Sequence, residues 1–319
     1  MEPETQEIKE TMNTKNPSDF GATKSIKDFA GFHDKYYKLL LLIPAIILVF
    51  SIIYMINFYS ENNDFLYKDI SLTGGTTVTL YDKLDISKLQ QDLSSELDDL
   101  SIREIYDLVT REQKAIVLET KHSGEETREV LEDYLGYELD EKNSSFEFTG
   151  SSLSESFYKQ LLIAILFAFI LMAIVVFIIF RTFVPSAAVI ISAFADILMT
   201  LVFVNMLGMK ISSAGIVAFL MLIGYSVDTD ILLTTRLLKR REGGVNERIW
   251  NAFKTGITMT LTSLFAVLVA LIIIGSYSST LNQIFTILVF GLAFDIFNTW
   301  ITNVSILKWY VQGKVKNEN

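Results

Sequence analysis

Leu161–Phe180 reads LLIAILFAFILMAIVVFIIF, twenty residues without a charge, an amide or a proline. A bilayer core of about 30 Å needs about 20 apolar helical residues, so this run is long enough to span it. Leu39–Tyr59 is likewise free of charge. Four further runs are nearly as apolar: Val184–Gly208, Ile211–Thr235, Thr255–Ser276 and Ile284–Leu307. The 319 residues are 50% hydrophobic with a mean hydropathy of +0.38, and the excess is concentrated in these six runs. The expected architecture is an α-helical membrane protein of six transmembrane helices, with one soluble domain between the first and the second.

The expected organisation is a polar, disordered tail over residues 1–38, which leaves the first span (39–59) as the insertion signal. The soluble domain covers 60–159, spans two to six cover 160–310, and a short tail covers 311–319. Lys and Arg near the span ends set orientation. Six precede the first span, Arg181 lies between spans two and three, and Arg236, Lys239, Arg240, Arg241, Arg248 and Lys254 lie between spans four and five. Lys308, Lys314 and Lys316 close the chain, whereas Lys210 stands alone on the opposite side. This bias puts both termini in the cytoplasm and residues 60–159 outside it, in a cell-membrane protein. The domain holds 23 acidic and 10 basic residues, a balance that argues against nucleic acid.

Within the domain, Thr76–Tyr81 is a β-rich run, and Ile86, Leu89, Leu93, Leu97 and Leu100 form a helical stripe. Arg103–Val109 and Ala115–Thr120 read as strands, Glu125–Leu135 as a second helix and Ser145–Thr149 as a last strand. The order βαββαβ predicts an α+β ferredoxin-like fold. Its carboxylates are those of a solvated helix face. There is no cysteine, and His33 and His122 are far apart, so neither a disulfide nor a metal site is expected. No nucleophile–base pair or phosphate loop is present, so neither an enzyme nor a cofactor is expected.

The chemistry lies in the spans, where a charge is costly and marks function by default. Asp196, Asp228, Asp230 and Asp295 occupy such positions. At 1.5 Å per residue, Asp196 lies ~17 Å beyond Pro185 and Asp295 ~18 Å from either end of its span, both near the midplane. In the last span Asp295, Asn298, Thr299, Thr302 and Asn303 share one helix face, a polar stripe that cannot face lipid. Asp196 shares a face with Thr200. In the fourth span Gly224, Asp228 and Thr235 line up, while Asp230 lies ~200° away beside Ser226 and Thr234. Thr255, Thr258 and Thr262 mark one side of the fifth span. Such groups can be static glue between helices. Several carboxylates in one bundle, without an equal number of cations, suit proton or cation relay better, because desolvation and like-charge proximity favour a protonated carboxyl. Arg236 can pair with one of them or anchor the chain at the cytoplasmic surface. Gly74 and Gly75 permit a turn before the first strand.

Together these residues resemble the SecF family of the SecDF accessory complex, in the RND-type transporter superfamily. The segment Asp69–Leu80, DISLTGGTTVTL, is similar to the one with which the family enters its first external domain. Gly224–Arg240, GYSVDTDILLTTRLLKR, is similar to the family's fourth-span signature, and Thr255–Gly275 to its fifth span. Bacterial SecF has its fourth-span Asp at the position of Thr229, whereas VDTD is nearer the SecD form, so an archaeal-type SecF is implied with the coupling role on Asp228. The resemblance implies pairing with a SecD-like subunit, association with the Sec channel, contact with an unfolded exported polypeptide and use of the proton gradient. The alternatives are an RND-type half-transporter for a lipid or small amphiphile, and a purely structural membrane subunit.

Overall fold

The computed structural model describes residues 17–106, 110, 112–239, 244–274 and 278–318. Its elements are α1 (Pro17–Asn62), α2 (Ile70–Thr73), β1 (Gly75–Leu80), α3 (Ile86–Leu93), β2 (Ser101–Tyr106), β3 (Gln113–Thr120), α4 (Gly124–Leu135), β4 (Ser144–Thr149), α5 (Ser151–Phe180), α6 (Phe183–Met206), α7 (Ser213–Lys239), α8 (Val245–Ile274) and α9 (Ser279–Phe297). A π-helical turn, Asn298–Asn303, follows α9 directly and continues into α10 (Val304–Glu318).

Among the described residues, six stretches are long and apolar enough to cross a membrane: Leu39–Asn62, Ser151–Phe180, Phe183–Met206, Ser213–Lys239, Val245–Ile274 and Thr280–Gly313. The expected six spans are therefore present. The helix carrying the first begins at Pro17, so residues 17–38 are helical where a disordered tail is expected, and residues 1–16 lie outside the described part. Arg240, Arg241 and Ser276 also lie outside it. The spans differ in where they sit. α6, α7 and the last span bury about half of their apolar windows, while α1, α5 and α8 stay mostly exposed and form the outside of the bundle. α8 buries only a narrow stripe, Ile249, Ala252, Gly256 and Thr260.

The domain has the expected ferredoxin-like topology, an antiparallel sheet in the order β2-β3-β1-β4 with α3 and α4 on one face. Alternation places Val78, Leu80 and Leu118 on the helix side, where they pack with Leu89, Leu93, Leu97 and Leu131. α4 carries a capping box, with Ser123 and Glu126 satisfying each other's backbone N–H groups. The first domain helix stops at Leu93 rather than Leu100. The following Ser94, Ser95, Asp98 and Asp99 compete for their own backbone, and Asp99 takes a positive φ of 55°. Leu97 still reaches the core through turns. The strand expected over Arg103–Val109 is β2, and its last three residues lie outside the described part.

Gly74 and Gly75 (φ 84° and 146°) act through the backbone. A Cβ on Gly75 would lie 2.3 Å from the Thr120 carbonyl oxygen, and one on Gly74 2.5 Å from Ser151 Cα. The pair lets β1, β3 and the start of α5 meet at one point.

The domain is tied to the bundle by hydrogen bonds rather than a loose linker. The Asp69 N–H donates to Ile211 O (3.0 Å), and the Ile211 N–H to Tyr67 O (2.6 Å), in a parallel bridge with the loop that opens α7. The Ser213 N–H donates to Ser71 Oγ at 3.1 Å, and Lys210 pairs with Asp99 at 2.5 Å. Gln283 of α9 closes the junction, accepting from Ser212 N–H at 2.9 Å and donating to Lys210 O at 2.5 Å.

Candidate functional site

α6, α7 and α9 each bring one aspartate to the inside of the bundle. Asp196, Asp230 and Asp295 are all 0% exposed. Asp196 accepts from Ser226 Oγ at 2.6 Å on one oxygen and from Asn298 Nδ2 at 2.7 Å on the other. Asp230 Oδ1 accepts from Thr299 Oγ1 at 2.8 Å and Asn303 Nδ2 at 2.7 Å. The same Thr299 hydroxyl lies 3.2 Å from Asp295 Oδ1. Thr302 Oγ1 reaches Asn298 Oδ1 at 3.3 Å, which turns the Asn298 amide so that its NH2 faces Asp196. Among the described residues no salt bridge reaches any of the three carboxyls.

A hydroxyl has one proton to give and two lone pairs. Standing between Asp230 and Asp295, Thr299 satisfies both only when one carboxyl is protonated and donates to the hydroxyl, which donates to the other. With both ionised, one contact places oxygen lone pairs against each other in a medium where the repulsion is poorly screened. Asp230 Oδ2 and Asp295 Oδ2 are moreover buried without a hydrogen-bond partner, which is costly for a carboxylate and milder for a neutral carboxyl. The arrangement is suited to holding and exchanging a proton.

The last span supplies most of the donors, and does so through its π turn. Asn298, Thr299 and Asn303 all reach carboxylates from a six-residue segment with i→i+5 hydrogen bonding. The stripe read from the sequence, Asn298, Thr299, Thr302 and Asn303, is buried as expected, but on a π turn rather than a continuous α-helix. The sequence signal for the turn is thin: three β-branched residues, flanked by asparagines that compete for the backbone.

Comparison with known proteins bears on what such a bundle belongs to. Residues 131–313 match the family described as protein export membrane protein SecD/SecF, C-terminal. The chain is 39% identical over 284 residues to the protein-export membrane protein SecF of Methanocaldococcus jannaschii, covering 87% of this chain and 96% of that protein. The SecF of Pyrococcus furiosus is 36% identical over 288 residues, covering 88% of this chain and 93% of its own. The chain belongs to the SecF family of protein-export membrane proteins. Its fold is that of SecDF, a translocon-associated membrane protein from Thermus thermophilus, with a TM-score of 0.66 at 17% identity. The match covers 86% of this chain and 38% of the SecDF chain, so this SecF-family chain spans well under half of that structure.

In this SecF-family chain the fourth-span carboxylates part company. Asp230 sits in the cluster with Ser226, and Thr234 is buried on the same face. Asp228, to which the family resemblance assigns the coupling role, lies on the opposite, exposed face with Gly224 and Tyr225. The cluster is therefore built on Asp230, and Asp228 points out of the bundle. Arg236 reaches no aspartate of the cluster and donates to Asn251 O at 2.6 Å, joining the ends of α7 and α8. Thr258 and Thr262 face outward and bond back to their own helix at 2.7 Å each, while the buried Thr260 meets Thr229 Oγ1 at 3.4 Å; among the described residues no α8 hydroxyl bonds a carboxyl of the cluster. Thr200 bonds the Asp196 main-chain carbonyl at 2.6 Å, and Asn205 holds Phe65 O at 2.8 Å near the domain.

A second polar constellation, which sequence reading missed, lies where the helix-free face of the sheet overhangs the start of α7. A cavity of about 560 Å³ is lined by Asp69, Arg103, Glu119, Glu147, Lys210 and Gln283 among others. Glu119 is 6% exposed and ion-paired with Arg103. Burial, followed by the neighbouring Asp69, pushes its carboxyl up to about 7 from an ordinary 4.5, against the opposing pull of Arg103.

Proposed function

We propose that this chain is the SecF half of a SecDF-type accessory to the protein translocon. It pairs with a SecD-like subunit and uses proton flow to assist export of unfolded polypeptides across the cell membrane. The observation that carries the reading is the set of three buried aspartates, two of which share the hydroxyl of Thr299. Pairing is supported by Asp228, an exposed carboxylate on a membrane-spanning helix, which is costly against lipid and favourable against a polar protein surface. The acidic domain, by the Lys and Arg bias of the loops, lies outside the cytoplasm, with both termini inside.

In this mechanism a proton arriving at the Asp230–Thr299–Asp295 set removes a buried charge and changes which oxygen donates. α7 and the last span then repack, since their donors are distributed between the two. The shift passes along α7 to Ile211 and, through the backbone bridge, to the segment leading into β1. The domain changes its tilt and alternately grips and releases the emerging chain.

The experiment is export of a signal-peptide reporter in the host carrying Asp230→Asn, with the membrane level of both subunits measured alongside. Slowed export that no longer responds to collapse of the proton gradient, at normal subunit levels, is the expected result. Export at the wild-type rate would remove Asp230 from the coupling role and favour a structural subunit.

A further inference from the structure

A single π turn in the middle of a span persists only where its surroundings hold it against the α-helix. Reverting it to α register removes one residue from the turn, rotating everything on one side by ~100° and shifting it by ~1.5 Å. Asp295 and Asn303 lie on opposite sides of that change, so they could not both keep their present partners. At the centre of the turn a large side chain is buried against a neighbouring helix. Trp300 is 9% exposed and packs into a notch on α8 made by Gly256. A Cβ on Gly256 would lie 2.5 Å from Trp300 Cζ2 and 3.0 Å from Cη2. Phe253 meets the indole edge-on at 5.0 Å, and Trp250 stacks on Phe253 at 5.7 Å. The buried indole N–H finds no acceptor among the described residues, so the ring is held by shape rather than by a hydrogen bond.

We propose that Trp300, seated in the Gly256 notch, is the positioning residue that keeps the last span in its π register. It thereby keeps Asn298, Thr299 and Asn303 on the Asp196 and Asp230 carboxyls. This rests on the reading of those carboxyls as the proton-handling site, and adds that α8, which contributes no group to the cluster, sets its geometry from outside. Unseating the ring costs the cluster its donors without altering any residue that touches a carboxyl.

The test is infrared difference spectroscopy of the full chain, reconstituted in lipid vesicles with its partner subunit, over a pH titration. The protonated-carboxyl band is assigned by its loss in Asp230→Asn. In Gly256→Ala the added methyl group displaces the indole, and the band is expected to move to higher wavenumber as hydrogen bonds to it are lost. Trp300→Phe in the same chain withdraws the part of the ring that the methyl meets, so Gly256→Ala/Trp300→Phe is expected to return the band to its wild-type position. A merely destabilising substitution would not be repaired in this way. If Gly256→Ala does not accumulate, Trp300→Ala and Trp300→Phe carry the test, the first shifting the band and the second leaving it near wild type. An unshifted band in Gly256→Ala or Trp300→Ala, or a double variant that stays shifted, overturns the proposal. The spectrum reports on geometry independently of export, so a cluster that is well positioned yet unnecessary for export is distinguished by Asp230→Asn in the export assay.

Discussion

Raising the pH from 5 to 8 should loosen the sheet domain through Glu119, and Glu119→Gln should abolish the effect. Its carboxyl, held up to about 7 in the folded domain, returns to an ordinary 4.5 when the strands open. Between those values the folded state keeps a proton that the open state has lost, so stability is fully present below 4.5 and falls as pH rises through about 7. The gap corresponds to roughly 3 kcal/mol, or about two decades in an opening equilibrium. The side chain is nearly inaccessible, so solvent screening removes little of this. Hydrogen exchange of the β3 amides, Ile116 to Thr120, in the full chain in lipid nanodiscs reads it directly once intrinsic exchange rates are divided out. Wild-type protection should drop about a hundredfold from pH 5 to 8. In Glu119→Gln it should stay level, and any fixed cost from leaving Arg103 without its carboxylate cancels in the pH difference. Parallel slopes in the two proteins would refute the argument, because they would show that Glu119 ionises in place without penalty.

Other perturbations test other parts of the structure. Thr299→Val keeps the shape but removes the hydroxyl between Asp230 and Asp295. It should lower stability by about 1.5–3 kcal/mol, as for a hydrogen bond to a charged group, measurable as a lower midpoint of thermal unfolding in detergent. Asp228→Lys reverses the charge on an exposed face. It should leave the isolated chain's melting temperature unchanged while reducing recovery of the partner subunit on co-purification at least tenfold, about 1.4 kcal/mol in association. Gly75→Ala drives a methyl group into the Thr120 carbonyl at a positive φ. It should cost about 1–3 kcal/mol and appear as faster proteolysis of the sheet domain, with the helices of the bundle retained.

The six spans and the βαββαβ domain were legible because each rests on a long or strictly periodic signal. Leu161–Phe180 can hardly be anything but a span, and in β1 the buried Val78 and Leu80 alternate with the half-buried Thr77 and Thr79, while the apolar run Ala115–Leu118 makes β3 a strand buried on both faces. The choice between Asp228 and Asp230 was harder. Helical geometry places them ~200° apart but leaves open which side faces inward, since Gly224–Asp228–Thr235 and Ser226–Asp230–Thr234 are both polar sets. Only packing of α7 against α6 and the last span decides it. The π turn was hidden for a related reason: in an α-helical projection Asn298, Thr299, Thr302 and Asn303 already fall on one face. Glu119 gave no local sign at all. It looks like a solvent-facing strand residue, and is buried because the sheet's open face lies over α2 and the loop before α7.

The backbone bridge at Ile211 also determines what kind of mechanical element α7 is. From Ile211 to Asp230 is 19 residues, ~28 Å of mostly helix, and both ends are fastened: one by hydrogen bonds to the domain, the other by carboxyl contacts in the bundle. A rod clamped in this way has no slack in which to dissipate a displacement, and it carries torque as well as push. Its stroke is limited to the small slides and rotations that packed helices allow, about 1–2 Å, so any larger excursion of the domain must come from leverage about the bridge rather than from travel of the helix. Glycine and serine residues inserted between Ser213 and Ala214, inside the clamped segment, would leave the bridge and the carboxyl contacts in place and turn the rod into a tether, uncoupling two halves that each still fold.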